Sequence, residues 1–476
     1  MAKAMDSQHQ HQLNVTFLPY PTPGHMNPMI DTARLFAKHG VNVTIIATPA
    51  NALTFQNAID SDFSHGYHIR TQLLPFPAAQ VGLPEGVENI KDGTSLELLG
   101  RISRGISMLK GHIELLFQDL HPDCIVSDMS YPWTVESAAE LGIPRIFFYS
   151  SSYLSDCASH FVMRHRPHER LVSDTEKFSI PGFPHRIEMT PLQLANWQKV
   201  REEVSYYFEG MFASERRSYG AIYNSFHELE SEYEQLHKSI VGIKSWSIGP
   251  VSAWVNKDDD GQKINREHKE DLPGEPELHH AQLVELAYGL ENSGHSFIWI
   301  IRKKDANENE YSFLQEFEDK MKESKKGFII WNWAPQLLIL NHPAIGGIVS
   351  HCGWNSLLES LSAGLPVITW PMFAEQFYNE KLVVDVLKVG VSVGTKENKF
   401  WALGDKDDVV ERVEITKAVL QLMETEEGRE MRRRAIKLGD ASKKTIEKGG
   451  HSYNNLIQLI DELKSLKISK ALAETS

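Results

Sequence analysis

The sequence predicts an α/β protein made of two doubly wound parallel-sheet domains in tandem. Three observations predict it. The chain has 476 residues, too many for one ordinary domain at ~100–200 residues each. Short apolar, β-rich runs alternate with segments of helical period through both halves, which is the pattern of buried parallel strands joined by helices. A polar segment punctuated by Pro and Gly separates the halves and reads as a linker.

In order along the chain, LNVTFLPY (13–20) predicts the first strand, and NPMIDTARLFAKHG (27–40) a helix closed by a glycine. VNVTIIATP (41–49) predicts a second strand, CIVSD (124–128) a third, and ESAAELG (136–142) the helix after it. PRIFFY (144–149) and YGAIYNS (219–225) complete the strands predicted for the first half. The linker spans 251–280 and contains Asp258 and Asp260 in a DxD spacing. No apolar strand leads into that DxD, so an acidic linker explains it better than a metal–nucleotide site. The second half repeats the rhythm with SFIWIIR, KGFIIW, IGGIVSH, PVITWP and VGVSVG, followed by a long helical region from about Val413. Ligands of such sheets bind beyond the carboxyl ends of the strands, which points to a cleft between the domains.

Composition narrows the function classes. The net charge is −14 with no long Lys/Arg block, which argues against nucleic acid and anionic membranes as partners. Three cysteines, none in a CxxC pair, do not make a disulfide framework, and a reducing, cytoplasmic setting is expected. The polar start MAKAMDSQHQHQ lacks the apolar region of a signal peptide. No stretch approaches the ~18 apolar residues of a membrane helix.

The chemistry concentrates at a few corners. In SHCGWNSLLES (350–360), a strand turns into a helix, placing free backbone N–H groups and the positive end of a helix dipole at the strand's carboxyl edge. That is an anion site. Gly353 permits close backbone approach, Asn355 and Ser356 are good N-cap types, and His351 is a further donor. On its own the corner also reads as an ordinary capped helix. Context adds WAPQ (333–336), where Trp333 offers a flat face to a base, and WPMFAEQ (370–376), which puts Glu375 and Gln376 just past a strand end. Glu359 lies one helical turn beyond Asn355, within reach of ribose hydroxyls. In the first half, PYPTPGHMNPM places His25 just after the first strand and before a helix, and Asp128 ends CIVSD. A His oriented by an Asp deprotonates a hydroxyl near neutral pH.

The 44-residue stretch from Trp333 to Gln376 closely resembles the plant secondary-product glycosyltransferase box. The resemblance implies a GT-B fold of two facing Rossmann-like domains, a UDP-sugar co-substrate, an inverting reaction, and neither cofactor nor metal. Carried over by residue, it puts Trp333, Ala334 and Gln336 at base and ribose, Glu359 on the ribose and His351, Asn355 and Ser356 on the diphosphate beside Gly353. Trp354, Glu375 and Gln376 would surround the sugar. His25 and Asp128 match the family's catalytic dyad. The implied domains are 1–250 for the acceptor, 281–450 for the UDP-sugar, and 451–476 as a C-terminal helix and tail.

The chain as a whole resembles the legume soyasapogenol glucuronide galactosyltransferase group. PYPTPGHMNPMIDTARLFAKHG, LPFPAAQVGLPEGVENIKDG and the run from HPAIGG to AEQFYNEK carry this. It implies a lipophilic triterpenoid acceptor that already bears glucuronic acid, with galactose as the favoured donor sugar. In the wider family Gln at the place of Gln376 goes with glucose, so glucose and glucuronic acid remain open. Arg164, His165, Arg166 and Arg170 cluster in the acceptor half and read as a solvated basic face.

One departure stands out. The resembling proteins open the second domain with a strand and a glycine–serine loop, whereas here PEL (276–278) runs almost directly into the helical HAQLVELAYGLENSG. Roughly two dozen residues are missing by this comparison, enough for one strand and its connections. The second domain is expected to lack its first strand, and the chain to be poorly stable or weakly active. A catalytically impaired UDP- or terpenoid-binding paralogue, or a truncated gene product, is the alternative. An NAD-type oxidoreductase would need a GxGxxG after a strand, and none follows one here.

Overall fold

In a computed structural model of the chain, residues 12–256, 280–301, 308–399 and 409–474 are described. The chain divides into two compact units. One comprises Met1–His160, Val200–Glu267 and Ser442–Ser476, and the other Phe161–Lys199 and His268–Ala441.

The first unit carries β1 (Asn14–Leu18), α1 (Pro23–Lys38), β2 (Asn42–Ala47), β3 (Ile69–Leu73) and β4 (Cys124–Asp128). Then come α2 (Thr134–Glu140), β5 (Arg145–Tyr149), α3 (Tyr153–His165), α4 (Glu203–Arg216), β6 (Gly220–Tyr223), α5 (His227–Val241) and β7 (Lys244–Ser247). The strands form one parallel sheet in the order β3-β2-β1-β4-β5-β6-β7. Its alternating side chains feed two cores. Val15 and Phe17 pack with Met29, Ala33 and Phe36 of α1. Leu18 packs on the other side with Ile46, Ile102, Phe117 and Ile125. Both faces of the sheet are therefore covered, as a parallel sheet requires.

The strand order reverses at β1, whose neighbours are β2 and β4. At such a switch point a crevice opens beyond the strand ends. α1 begins at Pro23 rather than at the sequence-expected 27, so His25 lies inside its first turn and not before the helix. Proline is preorganised for the first helical position, where no N–H is needed. The extended Thr22 supplies the carbonyl that receives the Met26 N–H at 2.8 Å.

The second unit contains α6 (His280–Asn292), β8 (Phe297–Ile301), β9 (Gly327–Trp331), β10 (Ile348–Ser350), α7 (Trp354–Ser362) and β11 (Val367–Thr369). α8 (Gln376–Lys381), β12 (Gly390–Ser392), α9 (Arg412–Glu424) and α10 (Glu426–Thr445) follow. α11 (His451–Glu474) returns to the first unit, where Leu456, Leu459, Ile460 and Leu463 join the α1-side core.

The five strands expected in the second half all form, but not as one sheet. β8 pairs with β9, and β10, β11 and β12 make a separate group, every pairing parallel. Apart from the short antiparallel pair Phe178–Ser179 and Glu188–Met189, no strand precedes α6 in this unit among the described residues, and nothing there pairs with the outer edge of β8 or of β10. Residues 257–279, including Asp258 and Asp260, lie outside the described residues. In β8, Phe297, Trp299 and Ile301 turn toward the helix-packed clusters, while Ile298 and Ile300 are 43% and 40% exposed and Phe328 of β9 is 59% exposed. One face of this pair is open to solvent. No helix among the described residues is long and apolar enough to cross a membrane.

Candidate functional site

Two polar centres form where the sequence places them. In the first unit, β1 and β4 pair so that Leu18 lies opposite Ser127, which leaves Asp128 at the carboxyl end of its strand. The first turn of α1 brings His25 to it. His25 Nδ1 stands 3.0 Å from Asp128 Oδ2 and 3.1 Å from Oδ1. The Asp128 side chain is fully buried, whereas His25 is 26% exposed. The Ser130 N–H donates to Asp128 Oδ1 at 2.8 Å, so the buried carboxyl group is held by two donors, as a buried polar group requires. With Nδ1–H directed at the carboxylate, Nε2 carries the imidazole lone pair. This is the arrangement of a general base with an orienting acid.

Beside the dyad lies an apolar pocket whose lining includes Pro21, Met26, Phe76, Ile106 and Tyr131, with Asn51 and Glu88 as polar members. Tyr20 stacks its ring edge against Tyr131 at 5.5 Å and stands 5.9 Å from the His25 ring. Burial pushes the Tyr20 and Tyr131 hydroxyls well above their ordinary pKa. They remain neutral wall rather than acid–base groups.

In the second unit, β10 leads through Cys352, at φ +66°, into α7. The helix starts at Trp354, two residues before the Ser356 start that the sequence suggests. Gly353 is its N-cap, and Asn355 and Ser356 lie inside the first turn rather than capping it. No side chain caps the helix start, which leaves its first turn suited to an external anion. A Cβ at Gly353 would stand 2.3 Å from His351 Nε2, so a larger residue there would push the imidazole aside. His351 thus lies directly over the helix start. Trp354 is buried at 3% exposure, and Asn355, Ser356 and Glu359 are half-buried.

The neighbouring loops converge on this corner. Gln336 Nε2 donates to Glu359 Oε2 at 2.8 Å, joining WAPQ to α7. Trp333 is half-buried and Ala334 buried. Gln376 is spent partly on structure: its Oε1 accepts the Met372 and Phe373 N–H groups at 2.9 and 3.1 Å, so only its amide nitrogen side is left to read a ligand. Glu375 stands at the N-cap of α8. Two residues the sequence reading missed hold these loops. Asn379 Nδ2 donates to the Cys352 carbonyl at 3.0 Å, and Asn398 Nδ2 to the Ala374 carbonyl at 2.8 Å. Asn379 lies three residues after Gln376 on the same helix face, a spacing that marks it. Asn398 carries no such signal. Arg166 is paired with Glu169 and donates to the Lys199 carbonyl at 3.2 Å, a local structural use.

A further buried cluster gathers histidines that look scattered in sequence. Ligand-type atoms of Asp156, His160 and Glu215 lie within 4.8 Å of one another. Arg216 donates to His160 Nδ1 at 3.3 Å, and His160 Nε2 stands 3.2 Å from Glu215 Oε2. An imidazole that accepts at Nδ1 donates at Nε2, so Nε2 offers Glu215 a proton rather than offering a cation a lone pair. The cluster is a hydrogen-bond network.

The chain is similar to several known proteins. The family model described as UDP-glucoronosyl and UDP-glucosyl transferase matches residues 276–399. Soyasapogenol B glucuronide galactosyltransferase of Glycine max is 49% identical, with 98% of each chain covered. The crystal structure of Glycyrrhiza uralensis UGT73P12, complexed with glycyrrhetinic acid 3-O-monoglucuronide, is 45% identical with a TM-score of 0.91 and covers 98% of each chain. Medicago truncatula UGT71G1, complexed with UDP-glucose, is 23% identical with a TM-score of 0.74 over 96% of this chain and 100% of its own, a likeness of fold.

Proposed function

We propose a donor, an acceptor and a catalytic base for this chain, which belongs to the UDP-glucoronosyl and UDP-glucosyl transferase family. It has the GT-B fold expected from the sequence and is a glycosyltransferase that uses a UDP-sugar as co-substrate. The finer reading is transfer of a hexose, galactose in preference to glucose or glucuronic acid, to a triterpenoid saponin that already carries glucuronic acid. The name of the Glycine max relative and the ligand of the Glycyrrhiza uralensis structure support it.

The observation that carries the mechanism is the 3.0 Å contact between His25 Nδ1 and the buried Asp128, beside an apolar pocket. The acceptor docks its lipophilic body in that pocket. Its hydroxyl proton passes to His25 Nε2 while Asp128 stabilises the imidazolium. The hydroxyl oxygen attacks the anomeric carbon, the C1–phosphate oxygen bond breaks, and configuration inverts from α to β. UDP leaves with its growing negative charge on the N-terminal turn of α7 and on His351, Asn355 and Ser356. Oriented donors at developing charge are worth roughly 3–4 kcal/mol each when well placed. Trp333, Ala334 and Gln336 hold the base and ribose, with Glu359 on the ribose hydroxyls. Trp354, Glu375 and the nitrogen side of Gln376 surround the sugar.

A panel of UDP-galactose, UDP-glucose and UDP-glucuronate tests this, offered with a triterpenoid monoglucuronide and with the bare aglycone. Turnover fastest with UDP-galactose and the monoglucuronide is expected. Preference for another donor, or equal rates on the aglycone, would overturn the sugar or acceptor assignment.

The split second sheet favours one competing reading, a chain that binds UDP or terpenoid with impaired turnover. The alignment to the Glycine max relative runs over 489 positions, more than the 476 residues of this chain, so that relative carries residues with no counterpart here. Thermal stabilisation by UDP without transfer in the donor panel would favour that reading.

A further inference from the structure

Arg145 opens β5 and is 2% exposed. Its Nε donates to Ser127 Oγ at 2.9 Å, Nη1 to Ser218 Oγ at 2.8 Å, and Nη2 to the Asp128 backbone carbonyl at 3.4 Å. The guanidinium lies 4.8 Å over the Phe147 ring. Among the described residues no carboxylate stands within ion-pair distance of it. A buried cation with only neutral partners is expensive to keep, and folding does not require one at this place, since a hydrophobic residue would continue the strand.

The loop after β4 explains the placement. Arg145 holds the Asp128 carbonyl, the Tyr207 hydroxyl of α4 holds the Ser130 carbonyl, and Thr134 Oγ1 of α2 holds the Tyr131 carbonyl at 2.7 Å. Ser127 Oγ, the acceptor for Arg145 Nε, also pairs with Thr134 Oγ1 at 2.7 Å. These contacts clamp the segment whose Ser130 N–H and Asp128 carboxylate orient His25. Burial draws the Arg145 pKa down to about 9, and Asp128 is first among the charges that hold it up. The guanidinium is therefore a cation at neutral pH, and the carboxylate it feels most is the one against His25.

We propose that Arg145 is a positioning residue for the His25–Asp128 pair: it fixes the end of β4 and supplies a buried positive charge beside Asp128 that limits the basicity of His25. The proposal rests on His25 being the base. Asp128 raises the affinity of His25 for a proton, and Arg145 offsets part of that. Without the cation, His25 holds its proton to higher pH and fewer enzyme molecules carry a free base at neutrality.

The test compares Arg145→Met and Arg145→Lys by the pH profile of kcat/KM for the acceptor. Arg145→Met is expected to move the acid limb up by roughly 0.5–1 pH unit and to lower kcat while leaving KM for the UDP-sugar unchanged. Arg145→Lys retains the charge but not the reach to the Asp128 carbonyl. It is expected to keep the limb in place and to lose about 5–10-fold in kcat, in line with a small misplacement of a catalytic group. An unmoved limb in a folded Arg145→Met overturns the electrostatic part. If Arg145→Met does not fold, Arg145→Lys decides alone: wild-type kcat, or a shifted limb, overturns the proposal. His25→Ala is measured alongside. If it retains the wild-type rate the base assignment itself fails. If it is inactive and the Arg145 variants behave as wild type, only the role of Arg145 falls.

Discussion

At the scale of single residues, the dyad makes the sharpest demand. A general base contributes ~10²–10⁴-fold to rate, so His25→Ala is expected to lose at least two orders of magnitude in kcat with folding intact, as judged by an unchanged Tm. Asp128→Asn is expected to lose nearly as much. Its amide can donate to Nδ1, which turns the lone pair away from Nε2 and leaves the imidazolium without its buried counter-charge. A rate within tenfold of wild type for either variant contradicts the assignment. The pairing of His25 with Asp128 was legible in the sequence because Asp128 ends an apolar strand run and His25 follows one closely, where α/β sites collect. Arg145 was not, since the R of PRIFFY reads as one polar residue at a strand start. Only the fold reveals that it is 2% exposed and turned to the Asp128 carbonyl. The clamp role of Gln376 was not legible, because its bonds to Met372 and Phe373 depend on a turn with Ala374 at φ +54°.

At the scale of elements, α3, α4, α5 and β6 are joined by the buried cluster of Asp156, His160, Glu215, Tyr223 and His237. Tyr223 OH donates to Asp156 Oδ2 at 2.8 Å and His237 Nε2 stands 2.8 Å from Glu215 Oε1. Burial, and then the Glu215 charge, raise Asp156 to about 6, against His160, His237 and Tyr223. Burial also pushes Glu215 up, but His237 and His160 more than offset it and hold it at about 2. The two carboxyls act with opposite sign. A folded pKa raised above the unfolded one means that the Asp156 contribution is full below its ordinary value of 3.8 and is lost as pH rises through about 6. A depressed pKa means that the Glu215 contribution is present above its ordinary value of 4.5 and is lost as pH falls through about 2. Thermal unfolding from pH 5 to pH 7.5 should therefore show Asp156→Asn losing its disadvantage as pH rises, because the carboxamide imitates the protonated acid. A change in relative stability on the order of 1 kcal/mol across that window is expected, and parallel pH curves for the two proteins would contradict it. Element-level reading of the sequence had a consistent blind spot. β3 (IRTQL) and β7 (KSWS) were not anticipated, because both are sheet edges whose side chains are partly solvated and make no apolar run.

At the scale of the whole molecule, the second unit departs from what a parallel sheet needs. Such sheets pair their central strands on both sides and cover both faces. Here β8 and β10 each end a group, and Ile298, Ile300, Phe328 and Val349 stand exposed at 38–59%. The sequence led to the expectation that this unit lacks its first strand, and among the described residues its parallel strands form two separate groups. Among the described residues nothing pairs with the edges of β8 and β10, which lie next to exposed aliphatic side chains, the combination that promotes association between chains. Inserting the two dozen or so residues that the family pattern places between the linker and α6 should join the groups into one sheet. Amide hydrogen exchange in β8 and β10 is then expected to slow by at least tenfold, and Tm to rise by several degrees for a gain of a few kcal/mol. Transfer from the UDP-sugar should increase with it, since the inserted strand ends beside the N-terminal turn of α7 only if it occupies the place between β8 and β10. Equal exchange, equal Tm and equal turnover in the two proteins would mean that this chain closes its second unit without the strand, and the competing reading of impaired turnover would fall with that result.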